Sequence, residues 1–216
     1  ISILLKERPA LIIGFGGYVS FPICFASIFF KIPLIIYENN LILGRANQKL
    51  LFLSKKILLG TDIPINFPNK YKNKISVVGN ILKEEIINNN NVMNFNKKSF
   101  SILVIGGSQG AEVFGKVIPS AIKKLHEEGL DIEVNQQCIE NQEKILSEFY
   151  KKNNIKNNIF KFKKNILELL NNSDIAISRS GASSSAELIC TLTPFIAVPY
   201  PYSMDNHQYL NAKYYE

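Results

Sequence analysis

Three times in this chain a short β-branched run ends in a glycine-rich turn, and a helical pattern begins at once. The first turn is Gly14-Phe15-Gly16-Gly17-Tyr18-Val19-Ser20 and the second is Gly106-Gly107-Ser108-Gln109-Gly110-Ala111. The third is Arg179-Ser180-Gly181-Ala182-Ser183-Ser184-Ser185-Ala186-Glu187. Glycine lets such a turn take positive φ and lets a ligand approach the backbone. The helix that follows turns unpaired N–H groups and a positive dipole end toward the same place. In an open α/β sheet that place is the carboxyl edge of the strands, where ligands bind. Each turn alone is also what plain strand–helix packing produces. Three in one short chain, one with a serine cluster at a helix start, point to a phosphate-bearing ligand. Neither the dinucleotide fingerprint nor the P-loop, with its Gly-Lys-Ser/Thr, is matched, which argues against a dehydrogenase and an ATPase.

The rest of the chain supports layers around parallel sheets. Short apolar or β-branched runs at 11–13, 34–37, 56–59, 76–78, 102–105, 132–135, 175–178 and 195–198 read as strands. Continuous apolar runs of this length are expected where a parallel sheet is covered on both faces. Helical patterns fall between them at 22–30, 44–53, 111–128, 142–153, 166–171 and 182–192. In the third of these, Val113, Val117, Ala121 and Leu125 recur every fourth residue and predict one buried stripe, with Pro119 expected to kink the helix or shift its start. Such alternation predicts an α/β fold with right-handed crossovers. Composition shifts at 84–98, where four consecutive asparagines stand at 88–91. Asparagine favours turns over helix or strand, so this stretch reads as a linker between domains at 1–83 and 99–216.

Charge and cysteine content narrow the partners. The 25 Lys and Arg against 18 Asp and Glu give +7, much of it solvated lysine, with the remainder suited to phosphates or an anionic membrane face. No basic block with interleaved aromatics and no nucleic-acid module is present, so nucleic acid is not an expected partner. Cys24, Cys138 and Cys190 lie far apart and have only His126 and His207 to join them, which argues against a zinc site. The apolar stretch 21–30 is half the roughly 20 residues a spanning helix needs. Both ends of the chain read as cut, Ile1 within an apolar run and Glu216 within a helical pattern.

Six segments carry a family resemblance. GFGGYVSFP at 14–22, IP-x-x-x-YENN at 32–40, VVGN at 77–80, VIGGSQGA at 104–111, SRSGASSSAE at 178–187 and AVPYPYSMDNHQYLNA at 197–212 resemble the MurG family, in its order and spacing. These are the bacterial N-acetylglucosaminyltransferases of peptidoglycan synthesis. The resemblance implies a GT-B fold, two Rossmann-like domains with parallel sheets facing a cleft, both incomplete here. Residues 1–83 would be the later part of the acceptor-binding, membrane-side domain and 99–216 most of the UDP-sugar-binding domain. It implies inverting transfer of N-acetylglucosamine from UDP-N-acetylglucosamine to lipid I, forming lipid II, at the cytoplasmic face of the bacterial inner membrane. Cell-wall growth, shape and division would depend on that reaction. No cofactor and no metal are implied, because helix N-termini and a basic side chain can stabilise the leaving diphosphate.

Carried over by position, the resemblance assigns UDP-N-acetylglucosamine to Asn40, Lys83, Ser108, Lys163, Ala182, Ser183, Ser184, Ser185, Ala186, Glu187 and Gln208. Glu187 would take the ribose, and Lys163 would act through its backbone near the uracil. Gly16, Gly17 and Tyr18 would face the acceptor pyrophosphate, and Glu38 is the candidate carboxylate in support of catalysis. Three places depart from the family pattern. Tyr37 stands where a histidine is common, Lys83 where arginine is common, and His207 where glutamine is also found. The family's first glycine loop and its histidine would lie upstream of Ile1, so the chain by itself is expected to be inactive. Alternatives from other classes are another GT-B UDP-sugar enzyme, such as an epimerase or a diacylglycerol transferase, and a non-catalytic nucleotide-sugar module working with a partner chain. The apolar segment with Phe25, Ile28, Phe29 and Phe30, together with Lys31, Lys55 and Lys56, is a candidate membrane rest, or else core.

Overall fold

A computed structural model of the chain describes residues 2–89 and 98–216, except the side chains of 108–111. It divides into two compact units. One runs to Ile81 and takes in Met204–Asn211; the other comprises Leu82–Ser203 and Ala212–Glu216.

The first unit contains α1 (Ser2–Glu7), β1 (Ile12–Gly14), α2 (Ser20–Ala26), β2 (Leu34–Glu38), α3 (Arg45–Leu50), β3 (Ser54–Leu59) and β4 (Ile75–Val77). The strands form a parallel sheet in the order β1-β2-β3-β4. One core cluster joins Leu34 and Ile36 of β2 to Cys24 of α2 and Leu50 of α3; a second joins Ile57 and Leu59 of β3 to Leu43, Leu51 and Phe67. The helix expected at 22–30 stops at Ala26 and tightens into a 3-10 turn over Ser27–Phe30. Lys31, at φ 53°, ends it in the left-handed region.

The second unit contains α4 (Glu84–Ile87), β5 (Phe100–Ile105), α5 (Gly107–Glu127), β6 (Ile132–Gln137), α6 (Glu143–Lys152), β7 (Lys156–Phe160), α7 (Leu167–Asn171), β8 (Ile175–Ser178), α8 (Ala182–Cys190) and β9 (Phe195–Ala197). The last helix, α9 (His207–Tyr214), has its residues up to Asn211 in the first unit. All pairings are parallel, in the order β7-β6-β5-β8-β9. Ile102 and Val104 of β5 pack on one face with Phe114, Ile122, Leu146 and Tyr150. Leu103, between them, packs on the other face with Leu169, Leu170 and Leu188. Burial on both faces is why this strand reads as an unbroken apolar run.

Three sequence expectations change. The buried stripe of α5 is Phe114, Ile118 and Ile122, whereas Val113, Val117 and Leu125 are exposed. Both sets recur every fourth residue, and the bulkier one removes more apolar surface from water. Pro119 does not shift the start of α5, which runs unbroken from Gly107 to Glu127. Strand β7, KNNIF, gave little apolar signal because its first three residues are polar; it is held by its backbone ladder with β6 and by Ile159 and Phe160, which pack on the two core clusters. Within the stretch 84–98, α4 buries Ile86 in the second unit, while 90–97 fall outside the described residues.

Candidate functional site

In chain order the second sheet reads third, second, first, fourth, fifth. After β5 the chain turns to β6 on one side; after β8 it turns to β9 on the other. The carboxyl ends of β5 and β8 therefore border the crevice where open α/β sheets bind ligands. Pairing sets Ile105 opposite Ser178, so the second and third glycine turns begin side by side. Gly107 has φ +61°, a conformation that favours glycine.

The third turn leads into α8, with Gly181 as its N-cap and no side-chain cap bond. Its first N–H groups are thus not taken by a capping side chain. Within the stretch assigned to the nucleotide sugar, Ala182, Ser185 and Ala186 are buried and can offer only backbone to a ligand. Ser183 is exposed, and Ser184 and Glu187 are half-buried.

Glu187 sits where charge matters. Burial raises its carboxyl above the usual glutamate range, while Lys83 pulls it back. The Lys83 ammonium donates to the Lys164 carbonyl at 3.3 Å and lies 3.4 Å from Glu85. Lys83, Glu187 and the Lys164 backbone are therefore gathered in one unit, although they are up to about a hundred residues apart in sequence. The Lys163 side chain instead lines a polar groove with Asn135, Asn158 and Glu168, away from that group. The Ser108 side chain lies outside the described residues.

Two side chains not singled out from the sequence shape this crevice. Arg179 donates through Nη1 to the carbonyls of Val198 (3.2 Å) and Pro199 (2.9 Å). Its guanidinium lies over the rings of Phe114 and Tyr200, with centroids 4.8 and 5.4 Å away. It thus ties the end of β8 to the segment after β9 and to α5. Gln137, at the end of β6, accepts from the N–H groups of Gly106 and Gly107 at 3.3 and 3.0 Å. The signal available in sequence was a pair of amides, Gln136 and Gln137, closing a strand that faces a glycine turn.

In the first unit, Gly16 and Gly17 take φ of +78° and +77°, and the Ser20 hydroxyl donates to the Gly16 carbonyl at 2.6 Å. Tyr18 stands 94% exposed on this turn. Beside it opens a pocket of about 570 Å³ lined by Gly17, Tyr18, Phe21, Pro22, Arg45 and Lys49.

Glu38 is buried, and both its oxygens are engaged. Oε1 accepts from the Asn40 backbone and side chain, each at 3.1 Å; Oε2 accepts from Gly44 N–H at 2.9 Å and Asn47 Nδ2 at 3.0 Å. The carboxylate organises the loop between β2 and α3. Asn40 Oδ1 accepts in turn from Asn211 at 3.2 Å, and Gln208 belongs to the same unit. Tyr37, where a histidine was expected, donates to the Gly79 carbonyl at 3.3 Å and accepts from Ile81 N–H at 3.1 Å. A side chain at Gly60 would come within 2.7 Å of that hydroxyl, so glycine is what admits it. Among the described residues, no three or more His, Cys, Asp or Glu side chains gather as a metal site, and no helix is long and apolar enough to cross a membrane.

Two parallel-sheet α/β units, the second with glycine turns at its topological switch point, define a GT-B type fold. The chain belongs to glycosyltransferase family 28: the model of that family's C-terminal domain matches residues 101–216 and that of its N-terminal domain matches residues 1–59. It is 38% identical over its whole length to the UDP-N-acetylglucosamine--N-acetylmuramyl-(pentapeptide) pyrophosphoryl-undecaprenol N-acetylglucosamine transferase of Rickettsia canadensis, covering 62% of that protein. The chain thus spans less than two thirds of the length of that curated relative. The crystal structure of Acinetobacter baumannii MurG superposes with a TM-score of 0.76 at 25% identity, covering 99% of this chain and 59% of that one. A Neisseria meningitidis UDP-GlcNAc 2-epimerase bound to UDP-GlcNAc shares the fold, with a TM-score of 0.59 at 16% identity over 91% of this chain and 61% of that one.

Proposed function

We propose that this chain is the central part of an inverting glycosyltransferase that moves N-acetylglucosamine from UDP-N-acetylglucosamine to lipid I, producing lipid II and UDP. The observation that carries this reading is the meeting of Lys83, Glu187 and the start of α8 in the unit whose switch point is flanked by two glycine turns. Departure of UDP concentrates negative charge on the diphosphate. The α8 N–H groups and the Lys83 ammonium oppose that charge, which is electrostatic stabilisation of the leaving group. Glu187, one to two turns into α8, accepts hydrogen bonds from the ribose hydroxyls. The acceptor pyrophosphate lies against Gly16, Gly17 and Tyr18. Glu38 serves as support for the loop that carries Asn40, because a base would have to surrender one of the four hydrogen bonds that fix it. The sequence identity to the Rickettsia canadensis transferase favours this reaction over the epimerase alternative, whose likeness is confined to the fold.

The enzyme rests on the cytoplasmic face of the membrane without crossing it. Phe25, Ile28 and Phe29 are 41%, 43% and 72% exposed, and the Phe25 and Phe29 rings meet edge-on at 6.1 Å. An exposed aromatic row with lysine at its end suits an anionic leaflet.

Calorimetry of the full chain with UDP-N-acetylglucosamine, with UDP-glucose as the control, tests the donor assignment. Saturable binding that prefers the N-acetyl sugar and weakens at least tenfold in Glu187→Ala is expected, since bonds to a charged acceptor are worth about 1.5–3 kcal/mol. A folded chain with no affinity for either sugar nucleotide would exclude the donor site. Vesicle flotation tests the membrane face: Phe29→Ser should reduce recovery with anionic vesicles, and equal recovery would place this row outside the contact.

A further inference from the structure

Gln137 carries an inference beyond this assignment. Its amide uses both ends. Oε1 accepts from the N–H groups of Gly106 and Gly107 at 3.3 and 3.0 Å, and Nε2 donates to the Lys161 carbonyl at 3.3 Å. One side chain thereby ties together the carboxyl ends of β5, β6 and β7, which lie side by side in the sheet. The contacts continue from there. Three residues past Lys161, the Lys164 carbonyl accepts from Lys83, which acts on Glu187.

Two consequences follow from hydrogen-bond chemistry. The Gly106 and Gly107 N–H groups are the donors a glycine turn ordinarily offers to phosphate, and here they are taken. The diphosphate is left to α8 and Lys83. An amide is also well suited to this bridge, because it accepts at one end and donates at the other. A glutamate of the same length keeps the contact to the turn and loses the contact to Lys161. A methionine of similar length loses both.

We propose that Gln137 is a positioning residue for the donor site: it sets the spacing between the Gly106–Gly107 turn and the loop at 161–164 without touching the sugar nucleotide. This rests on the UDP-sugar reading of the crevice, and the test separates the two. The full chain and its Gln137→Glu and Gln137→Met variants are compared by calorimetry with UDP-N-acetylglucosamine, by thermal melting, and by peptide-level hydrogen exchange across 104–112 and 159–166. Gln137→Met is expected to weaken binding about tenfold and to speed exchange in both peptides. Gln137→Glu is expected to keep the first peptide protected, loosen only the second, and lose roughly threefold in affinity. In the parent chain, protection at Gly106 and Gly107 should persist when the sugar nucleotide binds.

Affinity in Gln137→Met within twofold of the parent, with both peptides loosened, overturns the positioning role and leaves the donor site standing. Weaker binding with unchanged exchange overturns it in favour of direct contact. Loss of protection at Gly106 and Gly107 on binding means the bond to Gln137 does not hold in the complex, which also overturns it. If Gln137→Met does not fold, the partial effect expected of Gln137→Glu decides. A parent chain that binds no UDP-sugar removes the donor reading, and this proposal with it.

Discussion

The two units carry the same local device and place it differently. Each has a parallel strand ending in a glycine turn that leads to a helix: Gly14–Ser20 after β1, Gly106–Gly107 after β5. In the first unit the described strands run β1-β2-β3-β4 in simple succession, and the turn stands at the edge strand. In the second, β5 lies in the centre, with neighbours that depart to opposite sides. A glycine turn frees the backbone wherever it occurs; in the second unit it also borders a crevice between diverging connections. The carboxylates differ in parallel. Glu38 is saturated by four hydrogen bonds and holds a loop, whereas Glu187 is half-buried, raised by burial and steadied by one lysine. The same residue type is fully engaged within one loop and left partly open in the first two turns of a helix.

The sharpest way to break this comparison is to remove Glu38. Glu38→Ala removes the acceptor of the Gly44 N–H and one of the two acceptors of Asn47 Nδ2, and should cost about 3 kcal/mol in denaturant unfolding of the first unit. UDP-N-acetylglucosamine affinity should stay within twofold; a tenfold loss would erase the distinction between the two carboxylates.

Arg179 comes next. Arg179→Lys keeps the charge but loses the planar fork and the stacking, so it should weaken UDP-N-acetylglucosamine binding about as much as Arg179→Met, roughly tenfold each. Calorimetry showing a lysine variant near parent affinity would make Arg179 a phosphate ligand instead of a clasp.

The glycines give a smaller, matched pair. Gly17 and Gly107 both have positive φ and open space around a built Cβ, so Gly17→Ala and Gly107→Ala should each cost about 1 kcal/mol from backbone strain alone. Only Gly107→Ala should also lower UDP-sugar affinity. An equal effect of both would mean that the first unit takes part in donor binding.

The mildest test is pH. Because burial raises the Glu187 carboxyl, it protonates at a higher pH than an ordinary glutamate and is then a weaker acceptor for the proposed ribose contact. Donor affinity should therefore begin to fall, as pH drops, before an ordinary glutamate would respond. Glu187→Gln should bind more weakly and show a flatter profile; parallel profiles would assign the pH dependence to another group.

Much of the fold was legible because its signals are local. Short β-branched runs, glycine turns and helices of period 3.6 mark themselves within ten residues, and strand β8 falls at Ile175–Ser178, the span read from its pattern. What failed locally failed for a physical reason. Residues 156–160 give little apolar pattern because the first three are polar and are held by the backbone ladder with β6, and the α5 stripe shifts by one residue because packing, and not spacing, chooses between two rows.

The sequence by itself determined where strands give way to helices, which turns need glycine, and the family to which the chain belongs, since these depend on neighbouring residues or on ordered motifs. Only the tertiary structure decided that Gln137 would occupy the amides of the Gly106–Gly107 turn across about 30 residues, that Tyr37 would close on Gly79 and Ile81, and that Arg179 would bind carbonyls beyond β9. Each of these contacts joins the ends of strands brought together by parallel pairing. Parallel crossovers separate such ends by tens of residues, so no local pattern records which side chain will reach which backbone group.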